Sequence, residues 1–175
     1  MYLFGSQVMG ENSYFELPDL IELADFNGNF KQYLEAVYAL FKRDFIDSKP
    51  IFQGTRLGLK KHPVYDGKEA TFWHMTSEGE NEENRNPDLR RLERIQWPSP
   101  MINDSTHSYL RVWENKRGSK QNILIFHEGE DYLVILRKVK DYLLPWTAYL
   151  ISDMPRKRKL IKEYDAYIKA KSAQL

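Results

Sequence analysis

The stretch from Tyr142 to Leu150, YLLPWTAYL, is the part of the sequence that decides the fold. Nine mostly apolar and aromatic residues in a row predict a buried β-strand. The strand carries the hydroxyls of Thr147 and Tyr149 near its end, and the basic run Arg156-Lys157-Arg158-Lys159 follows shortly after it. Apolar core and groups that attract anions are therefore expected side by side.

Three similar runs precede this strand, at 109–114, 123–128 and 132–137. Their apolar, β-branched and aromatic residues recur with a period of two, which is typical of strands. Only short, charged or glycine-containing connections separate the four runs. Short connections favour hairpins, so the sequence predicts a four-stranded antiparallel meander.

Helical periodicity lies on both sides of this sheet. Asn29 can cap a helix whose apolar face runs from Phe30 to Phe45 and which Pro50 ends. A short helix is predicted at 88–95, with its leucines facing inward and its arginines facing outward. Pro155 opens a last amphipathic helix. The residues of its predicted buried stripe are Leu160, Ile161, Tyr164, Tyr167 and Ile168.

The segment from 51 to 59 contains two glycines and alternates weakly, so one short strand is predicted there. The fold class is accordingly α+β, with N-terminal helices packed on the meander and a basic C-terminal helix. A chain of 175 residues with 42% hydrophobic residues is long enough for one well-filled core. We divide it into an N-terminal extension and helix (1–49) and an α+β domain (50–175), which together form a single compact domain.

Charge is balanced overall but segregated along the chain. The formal net charge is +1, whereas 78–88 is mainly acidic and 156–171 is mainly basic. Cysteine is absent, which excludes a thiol nucleophile and fits a cytoplasmic location. No signal peptide or membrane span is expected from the hydropathy pattern. We expect the acidic run to be a solvated loop.

Known cofactor and metal patterns do not occur in the sequence. There is no histidine pair at helical spacing, no calcium loop, no phosphate-binding loop and no dinucleotide glycine pattern. The prediction is therefore that no cofactor or metal is used. His74, next to Thr76 and Ser77, is the first candidate for proton transfer near neutral pH. The alternative for His74 is a structural histidine that hydrogen-bonds within a turn or an aromatic patch.

Two further groups of residues could act on a phosphate. Glu114, Lys116 and Arg117 lie at a predicted strand end, where the cations could hold a phosphate and the carboxylate could act as a base. Charged hairpin tips otherwise improve solubility and protect sheet edges. Thr147 and Tyr149 lie two residues apart on a strand, so they share a face and could orient a phosphate or complete a buried network.

Taken in order, several motifs resemble a family of phage-associated and mobile-element bacterial proteins. They also resemble the wider ribonuclease superfamily that groups barnase, EndoU, cytotoxic colicins and RelE. The resemblance covers roughly residues 50–170. The motifs that carry it are FWHMTSEG from Phe72, DLRRLERIQW from Asp88, WENKR from Trp113, WTAY from Trp146, and the basic helix.

This resemblance implies an enzyme that cleaves RNA without a metal, by attack of the ribose 2′-hydroxyl with general acid–base catalysis. The implied catalytic residues are His74, Glu114, Arg117, Thr147 and Tyr149. The implied substrate-binding residues are Lys116, Trp146, Arg156, Lys157, Arg158 and Lys159. No second histidine lies in an obvious catalytic place, so the acid and the base are not assigned.

The resemblance also implies a toxin of a toxin–antitoxin or phage-related system. Its partners would be RNA, either free or on a ribosome, and a cognate antitoxin or immunity protein. Two other classes of function stay open. One is a non-catalytic module that binds RNA or single-stranded DNA through cations and tryptophans. The other is an interaction protein whose basic helix meets an acidic partner.

Overall fold

The structure is a computed structural model that describes residues 13–79 and 84–174. The first twelve residues of the predicted N-terminal extension and residues 80–83 of the predicted acidic loop lie outside the described residues. In chain order the elements are α1 (Phe30–Phe41), β1 (Ile51–Phe52), β2 (Thr55–Arg56), α2 (Ala70–Thr76), β3 (Ser77–Glu78), β4 (Asn86–Pro87), α3 (Leu89–Glu93), α4 (Pro98–Asn103), β5 (Arg111–Arg117), β6 (Lys120–His127), β7 (Tyr132–Val139), β8 (Tyr142–Leu150) and α5 (Met154–Ser172). A 3₁₀ turn, Leu23–Phe26, precedes α1, and a π-helical turn, Lys42–Asp47, follows it.

The predicted meander is confirmed. Strands β5, β6, β7 and β8 pair in that order, each antiparallel to the next. The predicted helix after Asn29 is also confirmed, and the Asn29 side chain accepts a hydrogen bond from the backbone amide of Gln32 at 3.1 Å. The chain is an α+β protein with a C-terminal helix. None of the helices in the described residues combines the length and the apolar character that crossing a membrane requires.

Each face of the sheet carries its own hydrophobic layer. The N-terminal helices cover one face and bury the larger core, which includes Tyr33, Phe41, Phe72, Ile95 and Val134. Helix α5 covers the other face. The smaller core beneath it consists of Trp113, Leu124, Phe126, Leu133, Ile151 and Leu160. Alternation along the strands produces this division, because neighbouring residues point to opposite faces.

A β-bulge in β8 changes this alternation at Trp146. Ile135 pairs with Thr147 and Leu136 pairs with Pro145, so Trp146 is the extra residue and has no partner in β7. Thr147 and Tyr149 consequently lie on the α5 side of the sheet, with Ile135 and Leu133 opposite them. Bulges of this kind turn a side chain away from the regular pleat.

The structure corrects several local predictions. The segment 51–59 contains two short strands, β1 and β2, that pair with each other instead of one strand. Leu89 was predicted to face inward, but 43% of its surface is exposed, whereas Leu92 and Ile95 are buried. In α5 only Leu160 of the predicted stripe is fully buried, and Ile168 is exposed. The predicted outward direction of the arginines in 88–95 is wrong for Arg91 and Arg94, whose side chains are 14% and 15% exposed.

The carboxylate of Glu163 fastens α5 to the sheet. It accepts hydrogen bonds from Trp113 Nε1 at 2.9 Å, Asn115 Nδ2 at 2.6 Å and Arg117 Nη2 at 2.7 Å. Burial alone would raise the pKa of Glu163. The three hydrogen bonds and the charge of Arg117 outweigh burial and hold that pKa below its ordinary value.

We expect Glu163→Gln to destabilise the protein by about 1–2 kcal/mol at pH 7, because charge-assisted hydrogen bonds become neutral ones. A lowered folded-state pKa gives stability that is present above the unfolded pKa and is lost as pH falls through the folded pKa. The difference between the two proteins should therefore shrink in acid. Urea unfolding at neutral and acidic pH measures it.

Asp165→Asn is the matched control for Glu163→Gln. Asp165 lies on the same helix and is 3.8 Å from Arg111, but its side chain is 65% exposed. We expect little change in stability for this variant at either pH. An equal loss for Glu163→Gln at both pH values would show that the charge of the carboxylate is not the source of its effect.

Candidate active site

A pocket of about 520 Å³ lies along the outer edge of β8. Helices α2 and α3 come to this edge from one face of the sheet, and the first turn of α5 comes from the other. The pocket is thus built where the two helical layers meet around the last strand. Its lining residues are His74, Ser77, Glu78, Gly79, Arg85, Asp88, Arg90, Arg91, Trp146, Thr147, Tyr149, Leu150, Ser152, Asp153 and Arg156.

Helix α2 supplies His74. Every residue of this helix is buried, and it packs against β8. His74 is 5% exposed, and its ring meets that of Trp146 edge-to-face, with centroids 4.8 Å apart and planes 75° apart. The imidazole is therefore held between the core and the pocket, in contact with the bulge residue of β8.

Arg91 is the most connected charged group of the pocket. Its Nη1 donates to Thr147 Oγ1 and to the backbone carbonyl of Ser77, each at 3.1 Å. Its Nη2 donates to Glu78 at 3.4 Å, and the guanidinium lies 5.1 Å from the centroid of the Tyr149 ring. These contacts fix a planar cation beside the Thr147 hydroxyl and the Tyr149 ring.

The position of Arg91 follows from the way α3 begins. Asp88 caps the helix, and its Oδ1 accepts from the backbone amides of Arg90 at 2.8 Å and Arg91 at 3.4 Å. Burial on its own would raise the pKa of Asp88. Its hydrogen bonds, including those two, and the charge of Arg90 lower that pKa below the ordinary value, so the cap is an anion at neutral pH.

Arg156 approaches Tyr149 from the other helical layer. It lies in the first turn of α5, which Asp153 caps by accepting from the Arg156 amide at 2.8 Å. The Arg156 guanidinium donates to the Tyr149 hydroxyl and lies 5.3 Å from the centroid of that ring. Two guanidinium groups from different helices therefore converge on one tyrosine.

The pocket favours an anionic ligand. Four arginines and three carboxylates line it, and two of the carboxylates, Asp88 and Asp153, are occupied as helix caps. The fully buried Ser77 hydroxyl has no hydrogen-bond partner among residues 13–79 and 84–174, although Ser77 lines the pocket. Buried polar groups are nearly always paired, so this hydroxyl is a candidate ligand contact.

The fold brings five of the predicted site residues together. His74, Trp146, Thr147, Tyr149 and Arg156 all line the pocket, although more than 70 positions separate the first from the others. These five residues are therefore neighbours in space. The catalytic and binding roles assigned to them stay predictions.

The other predicted site residues do not line this pocket. Glu114 pairs with Lys138 at 2.7 Å, Arg117 pairs with Glu163, and Lys157 pairs with Asp131 at 2.6 Å. Three predicted binding residues point to solvent, namely Lys116, Arg158 and Lys159.

Arg85, Arg90 and Arg91 are the pocket arginines that the sequence prediction missed. A signal for Arg91 exists in the sequence, because Asp88, Arg91, Leu92 and Ile95 follow the spacing i, i+3, i+4, i+7 of one helix face. No comparable pattern surrounds Arg85.

Within residues 13–79 and 84–174, no three His, Cys, Asp or Glu side chains form a group that could hold a metal ion. Comparisons of the chain with protein-family models, curated proteins and solved structures found no match. The function therefore has to be argued from the chemistry of the pocket.

Proposed function

We propose that the protein is an endoribonuclease that cleaves RNA by attack of a ribose 2′-hydroxyl on the adjacent phosphorus. The observation that carries this proposal is the convergence of Arg91 and Arg156 on Tyr149, with Arg91 also bonded to Thr147 and His74 lining the same pocket. Guanidinium groups bind phosphate oxygens in a bidentate manner, and imidazole and phenol can transfer protons.

The chemistry assigns roles to these groups. A base takes the proton of the 2′-hydroxyl while its oxygen attacks phosphorus, and the bond from phosphorus to the 5′-oxygen breaks as an acid gives that oxygen a proton. The products are a 2′,3′-cyclic phosphate and a 5′-hydroxyl. His74 and Tyr149 are the two proton-transfer groups. Arg91 and Arg156 stabilise the extra negative charge of the phosphorane.

Thr147 has a positioning role in this scheme. Its hydroxyl and the Ser77 carbonyl both accept from Arg91 Nη1, so they fix the guanidinium with Nη2 as the edge that can face a phosphate. Arg158 and Lys159 are exposed on α5, within one turn of Arg156. They offer sites for neighbouring phosphates of the RNA. The attraction between these cations and the phosphates weakens as salt is added.

A ribonuclease of this kind would act in the cytoplasm as a toxin, held in check by an antitoxin or immunity protein. The support for this part is analogy with the nuclease superfamily that the motifs resemble. The pocket is open at the surface, so a partner that covered Arg156 would block it.

The test is incubation of the full chain with end-labelled RNA in excess EDTA, alongside the same RNA carrying 2′-O-methyl groups. We expect fragments that end in 2′,3′-cyclic phosphate from the first substrate and none from the second, because the methyl group removes the nucleophile. Cleavage of both substrates would contradict the proposed mechanism.

If both RNAs stay uncut, free RNA is excluded as a substrate. Translating ribosomes would then be added to the same reaction. If the mRNA also stays intact there, while filter binding shows salt-sensitive retention of RNA, the protein is a binding module and the proposal falls.

A further inference from the structure

A row of polar side chains crosses the face of the sheet that carries α5 and ends at the pocket. Asn115 on β5 is the register partner of Asn122 on β6, and Asn122 is the register partner of Arg137 on β7. Asn122 Nδ2 donates to Asn115 Oδ1 at 3.2 Å, and Arg137 Nε donates to Asn122 Oδ1 at 3.1 Å. The row is continuous across three strands.

Glu163 gives this row its direction. A carboxylate only accepts, so Asn115 must present Nδ2 to Glu163 and Oδ1 to Asn122. Asn122 is then forced to give its Nδ2 to Asn115 and its Oδ1 to Arg137. Both amides therefore have one permitted orientation, and the row ends with an acceptor that holds the guanidinium in place.

Arg137 contacts the fourth strand, β8, through Trp146. Its guanidinium carbon lies 3.8 Å from the centroid of the Trp146 ring, the closest cation–ring contact in the described part of the chain. Burial lowers the pKa of Arg137, and no carboxylate of the described residues pairs with it, so the indole and Asn122 are its partners.

The position of Trp146 depends on such side-chain contacts because no residue of β7 is paired with it. As the bulge residue of β8 it has no register partner on β7, and its side chain is only half-buried. Arg137 covers the indole, and the indole meets the imidazole of His74 edge-to-face. The contacts thus lead from Glu163 to His74 without a break.

We infer that Arg137 is a positioning residue, which sets the orientation of His74 by clamping Trp146 against it. Arg137 is not among the residues that line the pocket. The predicted effect of Arg137 on kcat rests on the proposed ribonuclease activity. Its structural consequence, the orientation of the imidazole, is measurable in the protein without any substrate.

The experiment compares Arg137→Lys with Arg111→Lys. Lysine keeps the charge but loses the planar guanidinium and the bond to Asn122. Arg111 is a matched control, since its guanidinium also lies over an aromatic ring, that of Tyr164 at 5.1 Å, on the same sheet and away from this pocket. Asn122→Ala is a second variant that breaks the row without changing Arg137.

For Arg137→Lys we expect kcat for RNA cleavage to fall about 10- to 100-fold with KM unchanged, because a small misplacement of a catalytic group is costly. The NMR signals of the His74 ring protons should shift, since they lie next to the indole. Asn122→Ala should change both readouts in the same direction. Arg111→Lys should change neither.

Unshifted His74 signals in folded Arg137→Lys and Asn122→Ala would overturn the inference, whatever the activity. An unchanged kcat in an active protein would overturn it too. If the His74 signals shift in both variants but the wild-type chain does not cut RNA, the positioning role stands and the ribonuclease proposal is removed instead.

Discussion

Replacing Arg91 by lysine should lower kcat/KM for RNA cleavage about 10²- to 10³-fold, the loss typical when one preorganised donor to a developing oxyanion is removed. Lysine keeps the positive charge but presents a single ammonium. It cannot bond Thr147 and the Ser77 carbonyl and still offer donors in a fixed plane to a phosphate. The measurement is the initial rate of cleavage of a short labelled RNA.

Arg94→Lys is the matched control for this prediction. Arg94 ends the same short helix, and its side chain is 15% exposed against 14% for Arg91. Its guanidinium also lies over an aromatic ring, that of Trp97 at 5.0 Å, but Arg94 does not line the pocket. We expect near wild-type cleavage. Equal losses in the two variants would show that burial of an arginine, and not a phosphate contact, explains the effect.

The sheet was predictable because its pattern is local. Alternation over 109–150 and the short connections define strands and hairpins without any knowledge of tertiary contacts. The bulge was not predictable in the same way. The run from Tyr142 to Leu150 is apolar on both faces, so a shift of one residue at Trp146 leaves no trace in the pattern.

The pocket was predictable only in part, for a related reason. His74, Thr147 and Tyr149 were found because hydroxyls and an imidazole in an aromatic context suggest chemistry. Arg91 was assigned to solvent because surface arginines are common on short helices. Its i+3 spacing from Asp88 places it beside the buried Leu92, but only the packing of α3 against β8 shows what it meets there.

Glu114 and Arg117 illustrate the opposite case. Their position at a strand end suggested a phosphate site, yet the structure gives each of them an ion-pair partner outside the pocket. Register decides such partners, since Glu114 lies opposite Ile123 and reaches Lys138 of the next strand. A sequence does not reveal this pairing until the register of the strands is known.

His74→Gln should lower kcat for RNA cleavage about 10²- to 10⁴-fold, the range expected when a general acid or base is lost. Glutamine has similar size and keeps hydrogen-bonding atoms, so it fills the buried site beside Trp146 without leaving a large cavity. The fall in kcat would therefore come from the loss of proton transfer. The measurement is kcat for cleavage of a short labelled RNA at saturating substrate.

His62→Gln provides the control, because His62 is exposed and outside the pocket. It should retain the wild-type rate. Thermal unfolding of both variants separates catalysis from folding. A folded His74→Gln protein that cuts RNA at the wild-type rate would remove His74 from the mechanism. Tyr149, held between Arg91 and Arg156, would then be the proton-transfer group that still fits the pocket.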